Sequence, residues 1–365
     1  MTPTPSARSV TRASYRDIAL YAPDRAPCRV DLSDNTNAWG VPPSSLRAIA
    51  EVGGSSFARY PQLYADSLKQ AIATYIGTTP DTIVTGCGSD DILDSAIRAF
   101  AEPGDRMVFP DPTFPMVPLF ARMNAAEPVA VPLTRDYDAD ATAMLAANGR
   151  IIYLCSPNNP TGAAFRRETI QTVVERARGD QIVLVDEAYV EYGAESVVTL
   201  TRDHPRLLVA RTMSKAFGLA GLRVGYAIGA PELVAEVEKS RGPYKVSVAA
   251  QAAAIAALDA GRDWVRERVA LTVDNRRRFA EELTRRGLRP IDSAANFVMV
   301  PVTRANDIAR AMRQRGVAVR PFENLSMVSE ALAETGGSAL RITIGPWDMM
   351  AEMLAAFDEA WRACG

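Results

Sequence analysis

Three stretches, read together, decide the fold: Ile151-Ile-Tyr-Leu-Cys-Ser-Pro-Asn-Asn-Pro-Thr-Gly162, Ile182-Val-Leu-Val-Asp-Glu-Ala-Tyr189 and Leu207-Leu-Val-Ala-Arg-Thr-Met-Ser-Lys215. Each is a short run of β-branched and aliphatic residues that breaks abruptly into a polar turn. A run that is apolar on both faces reads as a strand covered on both sides, the pattern of a parallel sheet packed between helices. Four more such runs flank these, at Thr82–Thr85, Arg106–Phe109, Pro128–Val131 and Val224–Ala227. Between most of the runs, stretches 89–101, 113–124, 138–148 and 166–178 carry helical periodicity. The expected fold is therefore α/β: a large domain with a mostly parallel seven-stranded sheet in an α/β/α sandwich.

Beyond residue 230 the texture changes. Long Ala/Arg/Glu-rich helices are expected at 231–240, 247–260 and 263–286, then strands near 296–301, 317–321 and 339–344, and a closing helix at 347–362. This divides the chain into an N-terminal segment (1–40), a large domain (41–260) and a small α+β domain (261–365), the last assisted by the N-terminal segment. The first sixteen residues, rich in Ser, Thr and Pro with Arg8, Arg12 and Arg16, read as a loose arm.

Composition narrows the function. The chain has 365 residues, 41 Lys+Arg against 43 Asp+Glu, a formal net charge of −2 and 48% hydrophobic residues. No basic surplus argues for nucleic acid or an anionic membrane surface as partner. No apolar run reaches the roughly 18–20 residues of a membrane span. A single histidine, His204, argues against a Ser-His-Asp triad or a His-rich metal site, so no metal is expected. Four widely spaced cysteines, Cys28, Cys87, Cys155 and Cys364, form no CxxC pair and suit a reduced, cytoplasmic protein.

In an open α/β sheet, ligands gather at the carboxyl ends of the strands. Three strand ends here carry chemistry: Asn159 in the turn after 151–154, Asp186 after 182–185, and Lys215 shortly after 207–210. Their separations, 27 and 29 residues, are each about one strand–helix–strand unit. Taken singly, the Lys reads as surface, the Asp as a helix cap or ion-pair member, and the Asn-Pro-Thr-Gly as a turn. A carboxamide, a carboxylate and a lysine on neighbouring strand tips read as a site.

The ordered pattern SPNNPTG (156–162), DEAY (186–189) and TMSKAFGLAGLRVGY (212–226) resembles the fold-type I aminotransferases that depend on pyridoxal phosphate (PLP), and within them the histidinol-phosphate aminotransferases. The resemblance runs from about Tyr21 to the C-terminal helix and implies the site residue by residue. Lys215 would bind PLP covalently and act as the base, which requires burial and positive neighbours to lower its pKa. Asp186 would pair with the pyridinium nitrogen. Tyr189 and Asn159 would hydrogen-bond the phenolic oxygen. Ser89, Asp90, Thr212, Ser214 and Arg223 would cradle the phosphate, with Asp90 contributing chiefly its backbone N–H at a helix start. Phe114 would stack on the ring. Tyr60, in Arg59-Tyr-Pro61, would reach the phosphate of a neighbouring subunit's cofactor, which implies a homodimer with shared sites.

For substrate, the resemblance offers Arg341 as the arginine that grips an anion, with Arg320, Tyr21, Asn37, Trp39 and Asn159 as further candidates. The implied reaction moves an amino group between histidinol phosphate and 2-oxoglutarate. An aromatic amino acid aminotransferase, or a PLP decarboxylase or lyase of the threonine-phosphate decarboxylase type, would use the same Lys215 and Asp186. Two stretches depart from the family pattern. A signature close to Asn-Glu-Asn-Pro reads Asp34-Asn-Thr-Asn-Ala-Trp39-Gly, and 323–338 forms a longer loop. Trp39 would either line the substrate entrance, favouring an aromatic side chain, or pack at a dimer interface.

Overall fold

The computed structural model describes residues 10–20 and 26–364, and its strands form three sheets. The strands are β1 (Val30–Asp31), β2 (Ile83–Cys87), β3 (Arg106–Asp111), β4 (Glu127–Pro132), β5 (Ile151–Cys155), β6 (Ile182–Asp186), β7 (Leu207–Thr212), β8 (Val224–Ile228), β9 (Phe297–Pro301), β10 (Val317–Ala318), β11 (Arg320–Phe322) and β12 (Ala339–Thr343). Seven of them make the large sheet, in the order β2-β8-β7-β6-β5-β3-β4. Only β8 runs against its neighbours; the other pairings are parallel. The seven-stranded, mostly parallel α/β fold read from the sequence is the one observed.

Strand periodicity explains why both faces of the sheet are dry. Along β5 to β7, Ile151, Tyr153, Ile182, Leu184 and Leu208 enter one apolar core with the helix Gly88–Phe100, while Ile152, Leu154, Val183, Val185, Leu207 and Val209 enter a second with the helix Arg167–Arg176. A separate core joins Val30 and Leu32 of the N-terminal segment to β9, β12 and the helices Ala305–Gln314 and Trp347–Cys364. The helix Arg262–Arg285 is long enough to serve two cores: Val265 packs beside the large sheet, and Phe279 and Leu283 pack with the small one.

Some local expectations are corrected. The strand expected over 317–321 is two strands in different sheets: β10 pairs in parallel with β1, and β11 pairs antiparallel with β12, the buried Val319 lying between them. The helix expected over 138–148 is confined to Ala141–Ala146, because the Asp140 carboxylate accepts the Ala143 N–H (2.9 Å) and fixes the start there. The 323–338 segment is not all loop. It carries the short helix Glu330–Glu334, with Ser329 Oγ accepting the Leu332 N–H at 3.3 Å. The same segment is fastened to the large sheet's loops by Ser326 Oγ on Asp111 and by a hydrogen bond between Tyr137 Oη and Ser329 Oγ.

Among the described residues, no helix is long and apolar enough to cross a membrane, and no cluster of His, Cys, Asp and Glu is placed to hold a metal.

Gly225 shows how closely β8 meets the start of the helix Gly88–Phe100. A Cβ there would overlap the backbone of Gly88 and Ser89, which cannot rotate away. Gly225→Ala is expected to destabilise the protein by about 1–3 kcal/mol in urea denaturation. Gly221→Ala, with open space around its Cβ, should change it by less than about 0.5 kcal/mol.

Candidate active site

One edge of the large sheet collects the chemistry because three parallel strands end there and the one antiparallel strand begins there. Asp186 is the last residue of β6 and Thr212 the last of β7. Arg223 precedes β8, and β2 ends at Cys87 opposite Val224. Arg223 has φ +55°, a left-handed backbone that turns the chain directly into β8.

Asp186 sits at the bottom of this edge, 4% exposed. Its Oδ2 accepts from the Tyr153 hydroxyl (3.0 Å) and its Oδ1 from the Ala188 N–H (3.0 Å). Both donors are neutral, so burial wins and pushes the carboxyl up to about 6. Tyr189, three residues on, packs edge-on against Phe297 with ring centroids 5.2 Å apart, and its hydroxyl oxygen accepts from Asn35 Nδ2 at 3.1 Å. Glu187 faces the other way and is a structural anchor: it accepts from Arg211 (2.8 Å), Ser196 and the Val197 N–H, all around a buried ion pair.

Lys215 Nζ lies 5.6 Å from the Tyr189 ring centre and donates to the Asp34 carbonyl at 3.3 Å. Burial of the ammonium, reinforced by the Arg341 charge, lowers it to about 8. A lysine in that range is partly neutral near physiological pH and can act as a base or nucleophile. Arg341, on β12, donates to Asn159 Oδ1 (2.6 Å) and to the Ser33 carbonyl (2.8 Å). Asn159 Nδ2 has no partner among the described residues, so this buried turn presents a spare donor.

The helix Gly88–Phe100 starts at this edge with Ser89 and Asp90 in its first turn. Its cap is completed by Asp91, whose Oδ2 accepts the Cys87 N–H at 2.9 Å. The expectation that Asp90 serves through its backbone meets a second feature: its carboxylate faces Arg223 Nη2 at 3.4 Å, and burial raises its pKa against that charge. Ser214 N–H donates to Thr212 Oγ1 (3.1 Å), and that hydroxyl lies 2.9 Å from Ser214 Oγ. A helix start, two hydroxyls and a guanidinium suit a phosphate dianion. Glycines keep the cradle open, since a Cβ on Gly88 would strike the Arg223 guanidinium. With Asp186 lacking a cation and Lys215 lowered, these residues fit PLP.

The remaining candidates are spread more widely. Phe114 is half-buried against the core on the helix Gly88–Phe100 side, in a loop tied to the 158–159 turn by Thr113 Oγ1 donating to Asn158 Oδ1 (3.1 Å). Arg320 pairs directly across from Arg341 on β11 and lines a cavity of about 860 Å³ with Leu20, Ser33, Pro115 and Phe322. Its guanidinium has no hydrogen-bond or ion-pair partner among the described residues. Asn37 spends its amide on the Ala216 carbonyl (3.0 Å), and Trp39 Nε1 donates to Thr272 Oγ1 (3.0 Å) beneath Arg268. Both therefore tie the N-terminal segment down. Tyr60 stands apart, 82% exposed and stacked on Tyr244 with centroids 4.8 Å apart. Tyr21 lies outside the described residues. Asn35, Tyr153 and Thr343 were missed. A tyrosine inside an apolar strand, needing a partner for its hydroxyl, was the available signal for Tyr153.

The model of the aminotransferase class I and II family matches residues 29–357. A histidinol-phosphate aminotransferase of Caldanaerobacter subterraneus subsp. tengcongensis is 32% identical over 337 residues, 91% of this chain and 95% of that one. An aromatic amino acid aminotransferase of Corynebacterium efficiens is 38% identical over 320 residues, 85% of this chain and 92% of that one. Among solved structures, the histidinol-phosphate aminotransferase of Sinorhizobium meliloti in complex with pyridoxal-5'-phosphate superposes with a TM-score of 0.87 at 28% identity, covering 99% of this chain and all of that one.

The buried carboxyl of Asp186 gives a test independent of turnover. Its native pKa lies above the unfolded value near 3.8, so it destabilises the ligand-free protein above pH 6, and the penalty vanishes as pH falls below about 4. Asp186→Asn is therefore expected to raise the unfolding free energy of ligand-free protein at pH 8 by up to about 3 kcal/mol, and to leave it unchanged near pH 4. Chemical denaturation at the two pH values reads this.

Proposed function

The chain belongs to the class I and II aminotransferase family, and on that footing we propose that it transfers an amino group between histidinol phosphate and 2-oxoglutarate, with PLP as cofactor. Bound PLP supplies an electron sink conjugated to the substrate's amino group. The chain's residues do the rest. Asp186 holds a proton on the pyridine nitrogen, its own desolvation being offset by the cation it faces. Ser89, Asp90, Thr212, Ser214 and Arg223 hold the phosphate, and Asn159 and Tyr189 donate to the phenolic oxygen. Lys215 Nζ would take the proton from the substrate's Cα and return it to the carbon two bonds away, across the amino nitrogen.

The observation that carries the substrate is the pair Arg320 and Arg341. Directly opposed residues on antiparallel strands project from the same face, so both arginine side chains leave the small sheet on one side. Like charges in that position cost stability until an anion joins them. Histidinol phosphate brings a dianion, and 2-oxoglutarate brings two carboxylates. An aromatic amino donor has one carboxylate and would leave Arg320 unmet in its half of the reaction, while 2-oxoglutarate as acceptor would meet the pair with either donor. Trp39, fastened to Thr272, gives no support to an aromatic preference. A second reading keeps one argument: relatives named for aromatic amino acids are 35% and 38% identical to this chain, against 32% and 31% for relatives named for histidinol phosphate.

The exposed Tyr60 and Tyr244 stack on each other, and Tyr244 N–H donates to the carbonyl of exposed Leu63, an apolar surface suited to a second copy of the chain. On this reading Tyr60 crosses a homodimer interface to the partner's phosphate site. Four free cysteines fit a cytoplasmic enzyme.

Lys215→Ala should eliminate amino transfer and the visible absorbance of PLP-loaded protein while leaving the far-UV circular dichroism intact. Arg320→Gln should raise KM for histidinol phosphate about 10–100-fold, the scale of one lost charge-assisted contact, and leave KM for phenylalanine unchanged. Turnover of phenylalanine with none of histidinol phosphate would replace this substrate by the aromatic one.

A further inference from the structure

Asn35 is the residue whose side chain joins the N-terminal segment to Tyr189. It is 1% exposed and adopts φ +59°, a left-handed conformation that asparagine tolerates better than most residues. Its carbonyl accepts from Asn296 Nδ2 (3.1 Å), which pins the backbone. Its N–H donates to Thr343 Oγ1 at 3.0 Å. A backbone N–H can only donate, so the Thr343 hydroxyl proton is left to point elsewhere, and Asn35 Oδ1 stands 3.3 Å away as its acceptor. That bond settles which end of the carboxamide is which, an assignment that the hydrogen-bond network makes rather than the shape of the group. The nitrogen end then faces Tyr189, and Nδ2 donates to Oη at 3.1 Å.

The consequence falls on the phenol proton. With Asn35 donating to the Tyr189 oxygen, the phenol's own O–H is directed away from Asn35 and stays available as a donor. Turned the other way, the phenol would spend its proton on Asn35 and offer the site only lone pairs. Thr343 is 2% exposed and Tyr189 4%, so no bulk water competes for these bonds. Thr343 is two residues beyond Arg341 on β12 and so lies on the same face of that strand.

We infer that Asn35 and Thr343 are positioning residues that fix the Tyr189 hydroxyl as a hydrogen-bond donor toward the phenolic oxygen of PLP. The inference rests on the cofactor reading above. A donor aimed at that oxygen stabilises its anionic form and lowers the basicity of the nitrogen that shares its proton. Removing the orienting pair therefore raises the pH at which the visible absorbance of PLP-loaded protein titrates.

The test is that titration, followed spectroscopically with no substrate present. Asn35→Gly suits the left-handed backbone and removes the carboxamide. Thr343→Val keeps the shape and removes the hydroxyl. Each should raise the midpoint by about 0.5–1 pH unit, the scale of one hydrogen bond, while Thr343→Ser restores the wild-type midpoint. Tyr189→Phe should raise it similarly, and Asn35→Gly added to Tyr189→Phe should shift it no further. Wild-type midpoints in Asn35→Gly and Thr343→Val, or an undiminished Asn35→Gly shift in the Tyr189→Phe background, would overturn the inference. If Asn35→Gly does not fold, the Thr343→Val and Thr343→Ser pair decides it. Wild-type protein that takes up no PLP would instead overturn the cofactor reading itself.

Discussion

The site depends on a carboxylate held out of water with neutral hydrogen-bond donors and no cation beside it. Asp186 ends a strand that is apolar on both faces, and the Tyr153 hydroxyl and Ala188 N–H are its partners. Such a group is costly unless a cation arrives. The fold tolerates it because the cores on either side of β6 are continuous, and because the second acid of the pair, Glu187, is fully engaged by Arg211. Two adjacent carboxylates thus play opposite parts. One is satisfied internally and braces the strand end. The other has hydrogen bonds but no cation, which suits the positively charged ring proposed to lie against it.

The N-terminal segment acts as a keystone. Val30 and Leu32 belong to the small core, β1 pairs with β10, and Asn35 bonds Tyr189 at the edge of the large sheet. Asn37 and Trp39 then tie the same segment to Ala216 and to the helix Arg262–Arg285. Some ten residues therefore reach both cores and the site between them. The helix Arg262–Arg285 joins the cores a second time, and Ser326 and Ser329 a third.

Sequence periodicity made the large sheet legible because strands dry on both faces leave uninterrupted apolar runs, and strand-end polar residues such as Asp186 and Lys215 stand out against them. The small sheet was harder to read. Val317-Ala-Val-Arg-Pro-Phe322 reads as one short strand, and nothing local marks Val319 as the point where the chain leaves one sheet for another; that is decided by which partner each half meets, β1 or β12. The orienting residues were illegible for a related reason. Asn35 and Thr343 are 308 residues apart, and neither residue type is unusual where it stands. The resemblance offers Asn37 and Trp39 as substrate candidates, but their side-chain N–H groups are taken by the Ala216 carbonyl and the Thr272 hydroxyl.

The arrangement of β12 has an evolutionary consequence. Arg341 and Thr343 occupy alternate positions of one strand, so the arginine proposed to grip an anion and the hydroxyl proposed to orient Asn35 are locked in register. A one-residue insertion or deletion in β12 would turn both away together. Changes of substrate range on this scaffold therefore have a cheaper route through β11 and the 323–338 segment, which can vary in length and side chain without touching the Asn35 hub. A lineage diverging from this chain would be expected to keep 341 and 343 as a pair while residue 320 drifts.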